Sequence, residues 1–144
     1  MAHDSAKVVW QGRGKHGSGE ISTGSGTLRD APYGFESRFG DAVNGTNPEE
    51  LVGAAHAACF SMAISFACDA AGFVTESVKT EAQTTLSRDD TGFFISRIAL
   101  TLRARIPGIT PEDFAQLAEK TKQTCPISRA LASVPEITLD AQLE

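Results

Sequence analysis

One apolar stretch near the middle of the chain limits the possible folds more than anything else in it. From Asn47 the sequence reads Asn-Pro-Glu-Glu-Leu-Val-Gly-Ala-Ala-His-Ala-Ala-Cys59-Phe-Ser-Met-Ala-Ile-Ser-Phe-Ala-Cys68-Asp-Ala-Ala-Gly72. Asn47 is a good N-cap, Pro48 suits the first helical position, and Glu50 makes a capping-box-like pair with Asn47. Gly72 is a natural stop. These signals predict a helix over 48–71, about 24 residues and about 36 Å long. Apolar or small side chains surround it on almost every side, and such a helix belongs in an interior. In a chain of 144 residues, one way to bury it is between a sheet and a partner subunit. His56, Ser61 and Ser65 interrupt the apolar run, which fits a core helix better than a membrane span.

The flanking sequence supplies the sheets. Residues 6–45 hold nine of the thirteen glycines, with short apolar runs between them at Val8–Trp10, Glu20–Thr23, Gly26–Leu28 and Tyr33–Phe35. That pattern predicts a meander of short strands. Within it, Gly12-Arg-Gly-Lys-His-Gly17 matches G-x-G-x-x-G. A dinucleotide site needs that loop to open a helix. Here it leads into a strand-like segment, so no nucleotide site is expected.

After the helix, 74–106 reads as a hairpin. Val74, Val78, Ala82 and Leu86 share one face of its first strand, and Asp89–Gly92 forms the turn. Phe94, Ile98, Leu100, Leu102 and Ile106 line the inner face of the second strand, with Arg97, Arg103 and Arg105 outside. In 110–144, Thr110 and Pro111 start a helix with Phe114, Leu117 and Ala118 on its apolar stripe. A short helix follows from Cys125, and Ile137, Leu139, Ala141 and Leu143 alternate as a closing strand. The order is that of an α+β protein forming a single domain over 1–144.

The formal net charge is −5 and the basic residues are scattered, which argues against nucleic acid as a partner. The N-terminal segment has no apolar core of a signal peptide, so a cytoplasmic location is expected. No membrane partner is expected either. Three cysteines in such a setting are not a structural disulfide framework.

Those cysteines carry the chemistry. Cys59 and Cys68 lie nine positions apart, about 13.5 Å along a helix and on opposite sides of it. A disulfide needs Cα atoms within about 7 Å, so the two cannot pair. Cys68 reads as a small core residue, and Cys125 stays open to Cys59 as an intrachain partner. Cys125 sits beside Pro126 at a helix start, where the dipole and free N–H groups lower a thiol's pKa. Cys59 lies mid-helix and gains nothing from a dipole. His56 shares the helical face of Cys59 and has three readings: a base for Cys59, a metal ligand with it, or a hydrogen-bonded core histidine. Zinc needs two further ligands, and the other histidines, His3 and His16, lie in the N-terminal part, so no metal is expected.

The segment from Gly45 through Cys59 to Ser65 resembles the signature of the OsmC family, in its osmotically inducible branch. Pro32-Tyr-Gly-Phe-Glu-Ser-Arg-Phe39, Cys125-Pro-Ile-Ser128 and Glu136-Ile-Thr-Leu-Asp140 match in the same order, over nearly the whole chain. The resemblance implies an intertwined homodimer with long central helices packed on antiparallel sheets. It implies a thiol peroxidase that reduces organic hydroperoxides, and hydrogen peroxide, in oxidative stress defence. Cys59 would be the peroxidatic nucleophile and Cys125 the resolving cysteine that forms a disulfide with it. An Arg–Glu pair would activate the thiolate, and Glu49 with Arg38 fits those roles, Arg13 and Arg29 being the other arginines to consider. The reductant implied is an external dithiol, a dihydrolipoyl group on a carrier protein, with no bound cofactor. Glu49 precedes Cys59 by ten residues, about 15 Å along a straight helix. A carboxylate cannot span that, so Glu49 is expected to serve Cys59 of the other subunit. The competing class is a non-catalytic module, a redox sensor or a binder of apolar ligands, that uses the cysteine pair as a switch.

Overall fold

The computed structural model describes residues 1–41 and 44–144. They form two compact units, 1–51 and 52–144.

The first unit is built on a three-stranded antiparallel sheet of β1 (Ala6–Gln11), β2 (Ser18–Thr23) and β3 (Ala31–Gly34), in that order. Gly19 of β2 stands opposite both Trp10 and Tyr33. A Cβ at Gly19 would strike the Tyr33 ring, so the glycine is what lets the two aromatic rings close to 5.6 Å. The segment Gly12–Gly17 contains a single 3-10 turn, Gly14–His16, and runs directly into β2. One expected strand is absent, and the one expected at Tyr33–Phe35 is β3, which ends a residue early. Gly26–Leu28 is a bend, and the Thr23 hydroxyl accepts from the Leu28 N–H at 3.1 Å. Phe35 opens a short helix, α1 (Phe35–Phe39), because Ser37 folds back to accept from the Gly34 N–H at 2.9 Å.

Helix α2 (Pro48–Ala70) begins as its caps dictate. The Glu50 N–H donates to Asn47 Oδ1 at 2.8 Å. The Glu50 carboxylate takes the Thr46 hydroxyl at 2.8 Å, rather than an N–H of the cap residue. Gly72, at φ +89°, ends the helix. The Phe73 N–H reaches Cys68 O at 2.9 Å and the Gly72 N–H reaches Asp69 O at 3.0 Å, the paired bonds of a Schellman cap.

In the second unit, β4 (Ser77–Asp89) and β5 (Gly92–Arg105) form a long antiparallel hairpin, and β6 (Glu136–Leu143) adds to β5 in parallel. This sheet is therefore mixed, not antiparallel throughout. The chain crosses from β5 to β6 through α3 (Pro111–Thr124) and α4 (Pro126–Ala130), as a parallel pairing requires. Thr110 caps α3 by accepting the Asp113 N–H at 3.1 Å. The core is one layer of α2 and α3 side chains on the inner sheet face: Phe60, Ile64, Cys68, Phe114 and Ala118 against Ile98, Leu100, Leu102 and Ala104. Each fully buried large apolar side chain here contributes about 1.5–3 kcal/mol.

Two core assignments differ from the sequence pattern. Thr85 pairs with Arg97 but Leu86 with Ile95, which leaves Ser96 as a bulged residue. The bulge advances the alternation by one, so Ile95 rather than Phe94 packs on the core. Val74 stays outside β4 and is exposed.

Helix α2 is also less enclosed than its composition suggests. Its buried stripe is Gly53, His56, Phe60, Ile64 and Cys68. On the opposite side Ala55, Ala58, Met62 and Phe66 are exposed, the last two at 62% and 68%. By length and composition this helix could cross a membrane, with a mean hydropathy of 1.7. The stripe that packs on the sheet is that of a core helix.

Candidate active site

Two clusters carry reactive chemistry, one in each unit. In the second unit the first turn of α4 faces the middle of α2. Cys59 Sγ and Cys125 Sγ lie 2.9 Å apart, both as free thiols. A disulfide bond needs the sulfurs about 0.9 Å closer. The pair is asymmetric in access. Cys125 is 1% exposed, while Cys59 is partly open.

It is also asymmetric in acidity. Burial, and then the hydrogen bond to Cys125, push the Cys59 thiol above its ordinary value, with the Ile127 N–H opposing them. Burial also works against the Cys125 thiolate. Hydrogen bonds from Cys59, from the N–H and hydroxyl of Ser128 and from the Ile127 N–H outweigh it and hold Cys125 below its ordinary value. Ile127 and Ser128 lie in the first turn of α4, with Cys125 at its N-cap position. Cys125 is therefore the more acidic thiol of the pair. Acidity and access therefore point to different sulfurs. Of the pair only Cys59 is partly exposed, and with its pKa raised a nearby cation would favour its ionisation.

His56 and Ser128 repeat this geometry one helical turn away. His56 precedes Cys59 by three residues, and Ser128 follows Cys125 by three. His56 Nε2 and Ser128 Oγ lie 2.7 Å apart, and both residues are buried. Burial lowers the imidazole's pKa, so the ring is neutral at pH 7. Among the described residues Nδ1 has no hydrogen-bond partner. His56 is thus bound to Ser128, not placed as a base on Cys59. Ser128 was not legible as a site residue; its spacing from Cys125 was the one available signal. Cys68 is fully buried in the core.

The second cluster lies in the first unit. Arg38 on α1 donates to Glu49 in the first turn of α2, from Nε to both carboxylate oxygens at 3.2 Å and from Nη2 to Oε1 at 2.7 Å. Asn47 Nδ2 ties the same elements by donating to Ser37 O at 2.9 Å. This multidentate contact fixes the plane of the guanidinium. The carboxylate is the better shielded partner, 12% exposed against 36% for Arg38. Arg38 stacks over the Phe39 ring at 5.1 Å. Beside it opens a cleft of about 280 Å³ lined by Trp10, Tyr33, Phe35 and Phe39. Among the described residues, Arg13 and Arg29 have no carboxylate partner within 4.0 Å, so Arg38 alone of the three has the geometry of a held cation.

Comparison with known proteins converges on one family. The family profile described as OsmC-like protein matches residues 40–140. Peroxiredoxin OsmC of Escherichia coli (strain K12) is 47% identical over 142 residues, covering 99% of this chain and 97% of that protein. The organic hydroperoxide resistance protein OhrB of Bacillus subtilis (strain 168) is 30% identical over 142 residues, 97% and 98% of the two chains. Among solved structures, an organic hydroperoxide resistance protein from Elizabethkingia anophelis superimposes with a TM-score of 0.79 at 26% identity, covering 100% of this chain and 98% of that one. One from Legionella pneumophila gives 0.74 at 25% identity, covering 99% of each. A thiol pair on facing helices, two sheets, a long central helix and similarity along the whole chain lead to one conclusion: this protein belongs to the OsmC family.

Proposed function

We propose that this protein is a thiol peroxidase that reduces organic hydroperoxides, and hydrogen peroxide, to the alcohol or water. The observation that carries the reading is the sulfur pair, one partly open and one buried, 2.9 Å apart. The Cys59 thiolate attacks the outer oxygen of the hydroperoxide. The O–O bond breaks, Cys59 becomes a sulfenic acid, and the alkoxide leaves as the alcohol after gaining a proton. Cys125 then attacks the Cys59 sulfur. The S–O bond breaks, water leaves, and a disulfide forms. An external dithiol, which we take to be a dihydrolipoyl group on a carrier protein, restores both thiols by thiol–disulfide exchange and becomes a disulfide itself.

The Arg38–Glu49 pair is the cation that Cys59 needs. Ten residues of helix separate Glu49 from Cys59, about 15 Å, so the pair acts on Cys59 of a second subunit. The guanidinium stabilises the thiolate and the departing alkoxide, and the aromatic cleft beside it suits an apolar hydroperoxide tail. A homodimer is also supported by the exposed apolar face of α2 at Ala55, Ala58, Met62 and Phe66. A reducing cytoplasm is the setting in which such a cycle turns over.

Turnover of cumene hydroperoxide with dihydrolipoamide tests the reading. Wild-type protein consumes peroxide catalytically, and Cys59→Ser consumes none. Activity retained by Cys59→Ser would overturn it. One-equivalent oxidation without turnover would instead favour a redox sensor.

A further inference from the structure

We propose that the His56–Ser128 hydrogen bond is a latch that holds α4 in register on α2, and so keeps Cys125 where it can close a disulfide with Cys59; the role rests on the reading of that disulfide as a step of the peroxidase cycle. His56 and Ser128 are then positioning residues. Cys59 Sγ meets Cys125 Sγ at 2.9 Å, and His56 Nε2 meets Ser128 Oγ at 2.7 Å. His56 and Cys59 are three positions apart on α2, and Cys125 and Ser128 are three apart at the start of α4. That spacing is about 4.5 Å along a helix, on one side of it. His56 pairs with the later residue of α4 and Cys59 with the earlier one, so the helices run in opposite directions where they meet.

The need for a second attachment is physical. Helix α4 has five residues, little more than one turn, and so short a helix does not hold itself in place. Ile127 and Leu131 pack on the core here, but apolar contact has no preferred direction. Thiols are weak donors and acceptors, so the sulfur contact alone fixes little. A disulfide needs the sulfurs about 0.9 Å closer than they stand, with the bond dihedral near 90°. Two contacts one turn apart set both the separation and the rotation of α4, whereas one leaves the rotation free. Burial strengthens the latch. Both residues are buried, and His56 Nδ1 has no partner among the described residues. Swinging α4 away would leave both ring nitrogens unpaired in the interior, which is costly.

Without the latch, α4 of the reduced protein samples positions in which Cys125 is out of reach. The equilibrium constant for closure then falls in proportion to the fraction of time that α4 stays in place. The net worth of one buried hydrogen bond limits that fall to about tenfold, and about threefold is the least expected. For a two-electron couple this raises the potential of the pair by about 14–30 mV. A substitution that merely loosens the fold does so in both redox states alike and leaves the potential where it was.

Equilibration with the dithiothreitol couple measures the potential without peroxide. Cys59 and Cys125 give up two electrons and two protons, and the cyclic disulfide of dithiothreitol takes them up. After acid quenching, alkylation of the denatured chain and mass spectrometry separate reduced protein, with all its cysteines free, from oxidised protein, with Cys68 alone free. Ser128→Ala raises the potential by the stated amount, at pH 6 and at pH 8 alike, because position does not depend on thiol ionisation. Adding His56→Leu removes both polar partners, which returns much of the stability that either single change costs. The potential of this double variant stays raised, because apolar packing does not fix the rotation of α4. A wild-type potential in Ser128→Ala, a shift seen at pH 8 only, or a wild-type potential in the double variant overturns the proposal. Failure of the peroxidase reading is told apart because it would show as no peroxide turnover by the wild type, which this equilibrium does not involve.

Discussion

Closing the Cys59–Cys125 disulfide should make the fold markedly more stable. The two cysteines are 66 positions apart. Cross-linking a loop of that length removes unfolded-state entropy equivalent to about 4 kcal/mol at 25 °C in the chain-entropy model. Little of this should be lost to distortion, because the free sulfurs already stand 2.9 Å apart on facing helices. For a chain of 144 residues, each 1 kcal/mol moves the midpoint by about 2–4 °C, so the oxidised protein should melt about 8–16 °C above the reduced one. Calorimetry on fully reduced and fully oxidised protein, at one fixed protein concentration, measures the difference. The concentration matters because an oligomer's midpoint depends on it. Cys125→Ser is the control, since its midpoint should ignore the redox state. An oxidised protein melting no higher than the reduced one would refute the reasoning. It would mean that α2 and α4 must be distorted to bring the sulfurs together.

Three other outcomes follow from the same geometry. Cys125→Ser should still consume one equivalent of peroxide at the wild-type rate, but its Cys59 sulfenic acid should persist and be trapped by dimedone, as read by mass spectrometry. Glu49→Gln should slow oxidation of Cys59 about tenfold or more by freeing the Arg38 guanidinium, with an unchanged melting temperature, as read by stopped-flow fluorescence and calorimetry. Burial lowers the His56 pKa below its ordinary 6.5, so the unfolded chain binds a proton there that the folded chain refuses. Stability should fall as pH drops below about 6.5, by at most about 1.4 kcal/mol per pH unit from this group; urea midpoints should show a shallower acid decline in His56→Gln.

Local rules made much of the fold legible. Asn47, Pro48 and Gly72 carry the ends of α2 because capping depends on neighbours in the chain. Thr110 does the same for α3. The alternation in Val78–Leu86 and Ile98–Ile106 shows which sheet face is apolar. The misreadings came from non-local causes. The bulge at Ser96, visible only against its partner strand, put Ile95 in place of Phe94. The parallel seating of β6 depends on how α3 and α4 carry the chain across. Phe35 is the local exception, helical because Ser37 accepts from the Gly34 N–H three residues before it.

In the site, the sequence by itself singled out the candidate residues. Cys59 and Cys68 cannot pair, because helical rise and rotation alone forbid it, and the family motif singles out Cys59, Cys125, Arg38 and Glu49. It also left a conflict, since a helix start favours Cys125 as the more acidic thiol while the motif assigns attack to Cys59. Only the tertiary structure could address that conflict. Acidity is set by donors from several elements, and they do favour Cys125. Access is set by what packs over each sulfur, and it leaves only Cys59 open. The pairing of His56 with Ser128, 72 positions away, was likewise decided by packing. Hydrogen-bond partners across helices are fixed by how two faces meet, a relation that no single stretch of chain contains.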